Sequence, residues 1–328
     1  MNYRQLGKTG FSISEISLGT WQVGGKWGDE FSHGNADRII NTAIDNGVNF
    51  IDTADVYGGG ESEKAVGRVV RARSERVYVA TKCGRQLNPH TNEAYRPEVL
   101  RAFVESSLRN TGLETLDLIQ LHCPPTEVYY RPEIFGLFER LKEEGKILNL
   151  GVSVEKVEEG LKAIEYPNVT TVKIIFNMFR RRPSELFFPQ AKEKNVGIIV
   201  RVPLASGLLT GKFSPDSTFG AGDHRQFNRG GEAFDKGETF SGVDYETGLQ
   251  AVAELQELFP GRENLAPIAL RWILMFDEVS CVIPGASKEA QVVSNYSAEN
   301  LPPLTVEQMQ GVREVYEKYF REPVHHLW

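Results

Sequence analysis

A (β/α)8 TIM barrel plugged at its base by an N-terminal β-hairpin is the α/β fold this sequence predicts, and three observations predict it. Short apolar runs alternate with longer amphipathic segments almost from end to end, the pattern of repeated βα units around a parallel sheet. Eight such runs are present, enough to close a barrel. Three successive runs end in an ionisable residue, Asp52, Lys82 and His122, although strands buried on both faces are otherwise nearly continuous in Val, Ile and Leu. Polar side chains confined to strand ends describe the mouth of such a barrel.

In chain order, Tyr3–Leu6 and Phe11–Ile13 flank G-K-T-G and predict the hairpin. Strands are expected near Ile16–Gly19, Asn49–Asp52, Val77–Lys82, Leu116–His122, Ile147–Ser153, Thr171–Phe176, Ile198–Val202 and Ser280–Ile283. Helices are expected near Ala36–Asn46, Glu61–Arg71, Pro97–Thr111, Pro132–Glu144, Val154–Glu165, Ser184–Glu193, Tyr245–Leu258, Leu265–Phe276 and Lys288–Ala298. Pro97, Pro132 and Pro267 fall in first turns, where a missing N–H costs nothing. Gly47, Gly112 and Gly145 follow last turns, where a left-handed residue ends a helix. Ser206 to Asp244 is the least regular stretch, too long for a neutral connector, and predicts a flap over a ligand or a disordered insertion. A last helix after Leu304 adds to the C-terminal helices, and residues 1–328 read as one domain.

The 328 residues are 41% hydrophobic and 25% charged, an ordinary globular balance. A net charge of -7 without a dense Lys/Arg block argues against nucleic acid or an anionic membrane as a partner. The N-terminus lacks a signal peptide's apolar core and no long apolar run is present, so the chain reads as cytoplasmic. Cys83, Cys123 and Cys281 show no C-x-x-C spacing and read as packed thiols, with no metal site indicated.

The chemistry lies in four residues: Asp52, Tyr57 five positions later, Lys82 and His122. A phenol can protonate a carbonyl oxygen as hydride reaches its carbon if its pKa of about 10 is brought down. An ammonium beside it, Lys82, favours the phenolate; Asp52 keeps that ammonium charged and oriented; His122 can donate a hydrogen bond to the substrate oxygen.

The motifs D-T-A-D-V-Y-G-G-G-E-S-E, T-K and L-H at strand ends, G-V-S, N-M-F-R, P-L-A-S-G-L-L-T-G-K-F and I-P-G-A-S-K, in this order over nearly the whole chain, resemble the aldo-keto reductase superfamily. The resemblance implies a catalytic tetrad of Asp52, Tyr57, Lys82 and His122. It also implies an extended nicotinamide dinucleotide across the barrel mouth, bound without a Rossmann G-x-G-x-x-G. Gly19, Thr20 and Trp21 then match the nicotinamide contact. Pro203, Leu204, Ser206, Leu208, Gly211 and Lys212 match the pyrophosphate loop, and Gly285, Ala286, Ser287, Lys288, Gln291 and Asn295 match the adenosine site. The implied activity is reduction of a small-molecule carbonyl substrate. A sugar or polyol dehydrogenase and a cofactor-binding regulatory subunit, as in channel β-subunits, are the alternatives. Trp21, Trp27, Tyr57, Arg85, Phe227 and Trp328 are candidates to wall the substrate pocket. Oligomeric state is left open.

The chain departs from the family pattern near the nicotinamide. Ser153–Val154 replaces the common Ser-Asn, Lys173 stands where many relatives have Gln, and Arg201 where many have a stacking Tyr. A guanidinium stacked there disfavours the cationic oxidised ring. Gln291 stands where Arg is frequent, leaving Lys288 and Ser287 to hold a 2'-phosphate, so NADPH is expected with NADH tolerated. Accordingly, Lys288→Ala should lower the NADPH over NADH preference in kcat/KM by about tenfold, the scale of one charge-assisted hydrogen bond; an unaltered ratio would remove Lys288 as its cause.

Overall fold

The computed structural model describes residues 1–25 and 30–328. Strands β1 (Tyr3–Gln5) and β2 (Ser12–Ser14) pair antiparallel as the hairpin. Eight parallel strands follow: β3 (Leu18–Gly19), β4 (Phe50–Asp52), β5 (Tyr78–Cys83), β6 (Leu116–His122), β7 (Ile147–Ser153), β8 (Val169–Ile175), β9 (Gly197–Arg201) and β10 (Val279–Val282). Each pairs with its neighbours in chain order. The two ends of the sheet meet: Ile16 bridges Val282, Gly19 bridges Gly285, and the Ser17 N–H donates to the Val282 carbonyl at 2.9 Å. The expected barrel is closed.

Around it run α1 (His33–Asp45), α2 (Glu61–Arg71), α3 (Pro97–Thr111), α4 (Pro132–Glu143), α5 (Val157–Ala163), α6 (Phe187–Glu193), α7 (His224–Phe227), α8 (Tyr245–Leu258), α9 (Ala266–Ile273), α10 (Glu289–Tyr296) and α11 (Val306–Tyr316). Two helices, α5 and α6, start three residues later than expected for local reasons. The Glu159 carboxylate accepts from the N–H groups of Glu155 and Lys156, which holds Val154 to Lys156 as a cap rather than a first turn. Arg182–Ser184 forms a 3-10 turn ahead of α6. Among the described residues no helix is long and apolar enough to cross a membrane.

Side chains alternate across a strand, so positions two apart share the lumen. A lower layer of Phe50, Ala80, Leu118, Ile199 and Cys281 packs with Leu6, Phe11 and Ile13 of the hairpin segment. Two residues further along four of those strands, the same inward column reads Asp52, Lys82, Gln120 and Arg201. Thus the hairpin seals the base in apolar contact and the polar layer lies directly above it. A second, larger apolar core fills the space between strands and helices.

The plug demands close backbone approach. Gly7 has φ +50°, and a Cβ there would lie 2.2 Å from the Gly197 nitrogen at the start of β9. Gly7→Ala should therefore cost about 1–3 kcal/mol in denaturant unfolding, while Gly220→Ala, which meets nothing within 4 Å, should be nearly neutral; equal midpoints for the two would refute the close-contact reading.

Candidate active site

Asp52 ends β4 and is almost completely buried, yet it accepts three hydrogen bonds. Lys82 from β5 donates to Oδ1 at 2.7 Å, Lys173 from β8 donates to the same oxygen at 2.6 Å, and Gln120 from β6 donates to Oδ2 at 2.9 Å. Lys82, Lys173 and Gln120 are 0%, 3% and 0% exposed, so three strand ends are tied to one carboxylate in a dry layer. Gly151 makes room for it: a Cβ there would lie 2.1 Å from Thr171 Oγ1 and 3.2 Å from Gln120 Cγ.

Lys82 also donates to the Thr53 carbonyl and, at 3.2 Å, to the Tyr57 hydroxyl. Tyr57 opens the tight turn Tyr57–Gly60 after β4, in which Gly58 and Gly59 are left-handed. The His122 ring stands edge-on to the Tyr57 ring, centroids 6.2 Å apart. The four polar residues singled out in the sequence are thus brought together. Gln120 was missed, although its place two residues before His122 puts it in the same inward column.

The electrostatics follow from two ammonium groups on one carboxylate. Burial raises the Asp52 pKa, but Lys173 and Lys82 outweigh it and the net shift is down. Asp52 and Tyr57 hold Lys82 above its ordinary value against desolvation. Lys173 is held down to about 7, first by burial and then by Lys82 and Arg201, with Asp52 opposing. His122 is pushed well below its usual range by burial and by Lys82, Arg85, Lys173 and Arg201, so the ring is neutral near pH 7 and donates from one nitrogen. Tyr57 departs from the expectation of a lowered phenol: burial raises its pKa and Lys82 only partly offsets that. The phenol therefore stays protonated through neutral pH.

A cleft of about 530 Å3 opens beside this cluster. Trp21, Asp52, Tyr57, Lys173, Arg201 and Glu238 line one end, and Asn264, Gln291, Ser294 and Asn295 the other. Lys212 and Arg225 lie on the loop between. Cations on the loop, flanked by an end that carries two aromatic rings among paired charges and by an amide-rich end, suit an elongated ligand with an anionic centre, so a nicotinamide dinucleotide fits the donor set. Where the chain leaves β9, Val202, Ala205 and Ser206 hold φ of 51°, 47° and 57°. Such strain in non-glycine residues, the first of them β-branched, is characteristic of ligand loops.

Gly19, Thr20, Trp21, Pro203, Leu204, Ser206, Lys212, Gly285, Gln291 and Asn295 line the cleft as the sequence suggested. Leu208 instead turns into the core against α8, and Ser153 is buried beside Cys123. Gln291 Oε1 accepts from the Ser287 N–H at 2.7 Å and its hydroxyl at 3.1 Å, and neither Ser287 nor Lys288, which is exposed at the start of α10, is among the residues that line the cleft. Trp27 lies outside the described residues. Trp328 is buried under the Arg180 guanidinium against Gly237 and Gly242, and His325 binds the Tyr316 hydroxyl.

The Ser206 to Asp244 segment is packed onto the barrel as a flap. Phe213, Phe219, Phe240 and Tyr245 cluster at its base, with Arg225 over the first two rings. At its far end Glu238 pairs with Arg201 at 2.8 Å. The Arg201 guanidinium, expected to face a nicotinamide ring as a bare cation, carries its own counter-charge.

A family model described as the aldo/keto reductase family matches residues 15–317. The chain is 29% identical to the aldo-keto reductase YhdN of Bacillus subtilis over 99% of this chain and 96% of that protein. Among solved structures it is similar to the holo form of an aldo-keto reductase from Bacillus halodurans, with TM-score 0.78 and 27% identity over 99% of both chains. It is also similar to the glycerol dehydrogenase of Gluconobacter oxydans, with TM-score 0.78 and 30% identity over 98% of this chain and 97% of that one. With its closed barrel and the charged cluster at the mouth, the chain belongs to the aldo/keto reductase family.

Proposed function

We propose that the chain reduces small aldehydes or ketones to alcohols with Tyr57 as the proton donor. The observation that carries this reading is Lys82, held by Asp52 and the Thr53 carbonyl while it donates to the Tyr57 hydroxyl, next to a neutral His122. As an NAD(P)H-dependent carbonyl oxidoreductase, it takes the hydride from its nicotinamide cofactor. Tyr57 gives its proton to the carbonyl oxygen, and Lys82 stabilises the phenolate left behind. His122 donates a hydrogen bond to the same oxygen where charge accumulates. Asp52 positions Lys82, with Gln120 bracing the other carboxylate oxygen.

NADPH is the cofactor this reading favours, with NADH accepted, because Lys288 is an exposed cation at the start of α10 while Gln291 is engaged by Ser287. Oxidation of a polyol, the direction named for the Gluconobacter relative, is the second reading. It requires the phenolate, and burial disfavours that form of Tyr57 near neutral pH. Reduction should therefore persist at neutral pH and fall only as pH rises through the raised Tyr57 pKa, while oxidation gains with alkalinity.

The test is NADPH consumption with a nitro-substituted benzaldehyde, run beside NADH. Tyr57→Phe should lower kcat by about 10²–10⁴-fold and leave NADPH binding nearly unchanged; full activity in this variant would refute Tyr57 as the acid.

A further inference from the structure

The cluster carries a charge that the tetrad does not explain. Asp52 Oδ1 holds both Lys82 and Lys173, so two almost fully buried ammonium groups share one carboxylate. Surplus buried charge is costly, and the layer relieves it by giving up a proton. Lys82 has three oxygen acceptors, Asp52, the Thr53 carbonyl and Tyr57, whereas Lys173 has Asp52. Lys173 is therefore the amine that gives way, and it lines the cleft, where Lys82 does not.

The groups facing Lys173 come from every side of the lumen. Asp52 is the opposing charge from β4, Lys82 a like charge from β5, and His122 from β6 is neutral. Arg201 from β9 is balanced by Glu238 of the flap. Tyr57 and Cys281 are both held protonated by burial. Lys173 is thus the site's adjustable charge.

Building on the proposed dinucleotide site, we infer that Lys173 makes the site's choice between oxidised and reduced cofactor depend on pH. An oxidised nicotinamide ring is cationic and a reduced one is neutral. A charged Lys173 at that end of the cleft opposes the first and tolerates the second, while a neutral Lys173 accepts both. By linkage, binding of the oxidised form releases the Lys173 proton and binding of the reduced form does not. The sign follows: below the Lys173 titration the oxidised form binds weakly, and its affinity gains as pH rises until Lys173 is neutral.

The experiment measures Kd for NADP+ and NADPH by calorimetry and fluorescence between pH 5.5 and 9 on the parent chain, Lys173→Gln and Lys173→Arg. Taking the ratio of the two constants cancels ionisation of the shared 2'-phosphate. In the parent the NADP+/NADPH ratio of Kd should fall by up to tenfold per pH unit and then level off. Lys173→Gln should flatten it at the high-pH value and Lys173→Arg at the low-pH value. Proton release in the parent, read from binding enthalpies in buffers of different ionisation enthalpy, gives an independent check without any variant. A flat ratio in the parent, or a slope that survives in Lys173→Gln, would overturn the inference. Failure of both nucleotides to bind would instead overturn the dinucleotide reading on which it rests.

Discussion

The Asp52 carboxylate is the interaction on which the mouth of this barrel depends. It is the anion between Lys82 and Lys173, and through Gln120 it joins ends of β4, β5, β6 and β8. An unpaired ammonium at either lysine position would face a severe desolvation cost, since both are almost fully buried. What makes the arrangement tenable is position. It rests on an apolar lower layer plugged by the hairpin, so its oxygens are committed to protein donors.

A second buried pair performs a different task. Arg201 and Glu238 link the end of β9 to the flap, and Arg201 also donates to the Val154 carbonyl at 3.1 Å. The flap is further anchored where Ser206 donates to the Glu238 carbonyl at 2.6 Å, and where Arg180 and Trp328 crowd Gly237 and Gly242. The cleft thus has a barrel wall whose charge is set by Asp52 and a loop wall whose charge is set by Glu238.

Much of the architecture was legible in the sequence because it follows from local periodicity. The eight strands, the hairpin and α2, α3 and α8 lie where alternation and Pro or Gly punctuation put them. Asp52, Lys82 and His122 were legible because an ionisable residue ending an apolar run stands out, and Tyr57 because it follows Asp52 by five positions. Gln120 did not stand out, since an amide within L-D-L-I-Q-L-H breaks no charge pattern. The Lys173 to Asp52 contact spans 121 residues and the Arg201 to Glu238 pair joins a strand to an irregular loop. No local spacing encodes either. The raised phenol at Tyr57 was likewise hidden, because desolvation among its neighbours outweighs the adjacent ammonium that the sequence made evident.

Urea unfolding of Asp52→Asn beside the parent chain at pH 7 would show whether this carboxylate organises the layer. The amide keeps the shape of the side chain and removes the charge that two buried lysines share, so a loss of about 3–5 kcal/mol is expected, the scale for stripping one partner from a buried ion pair. A variant within about 1 kcal/mol of the parent, the range of an exposed pair, would contradict the central place given to Asp52.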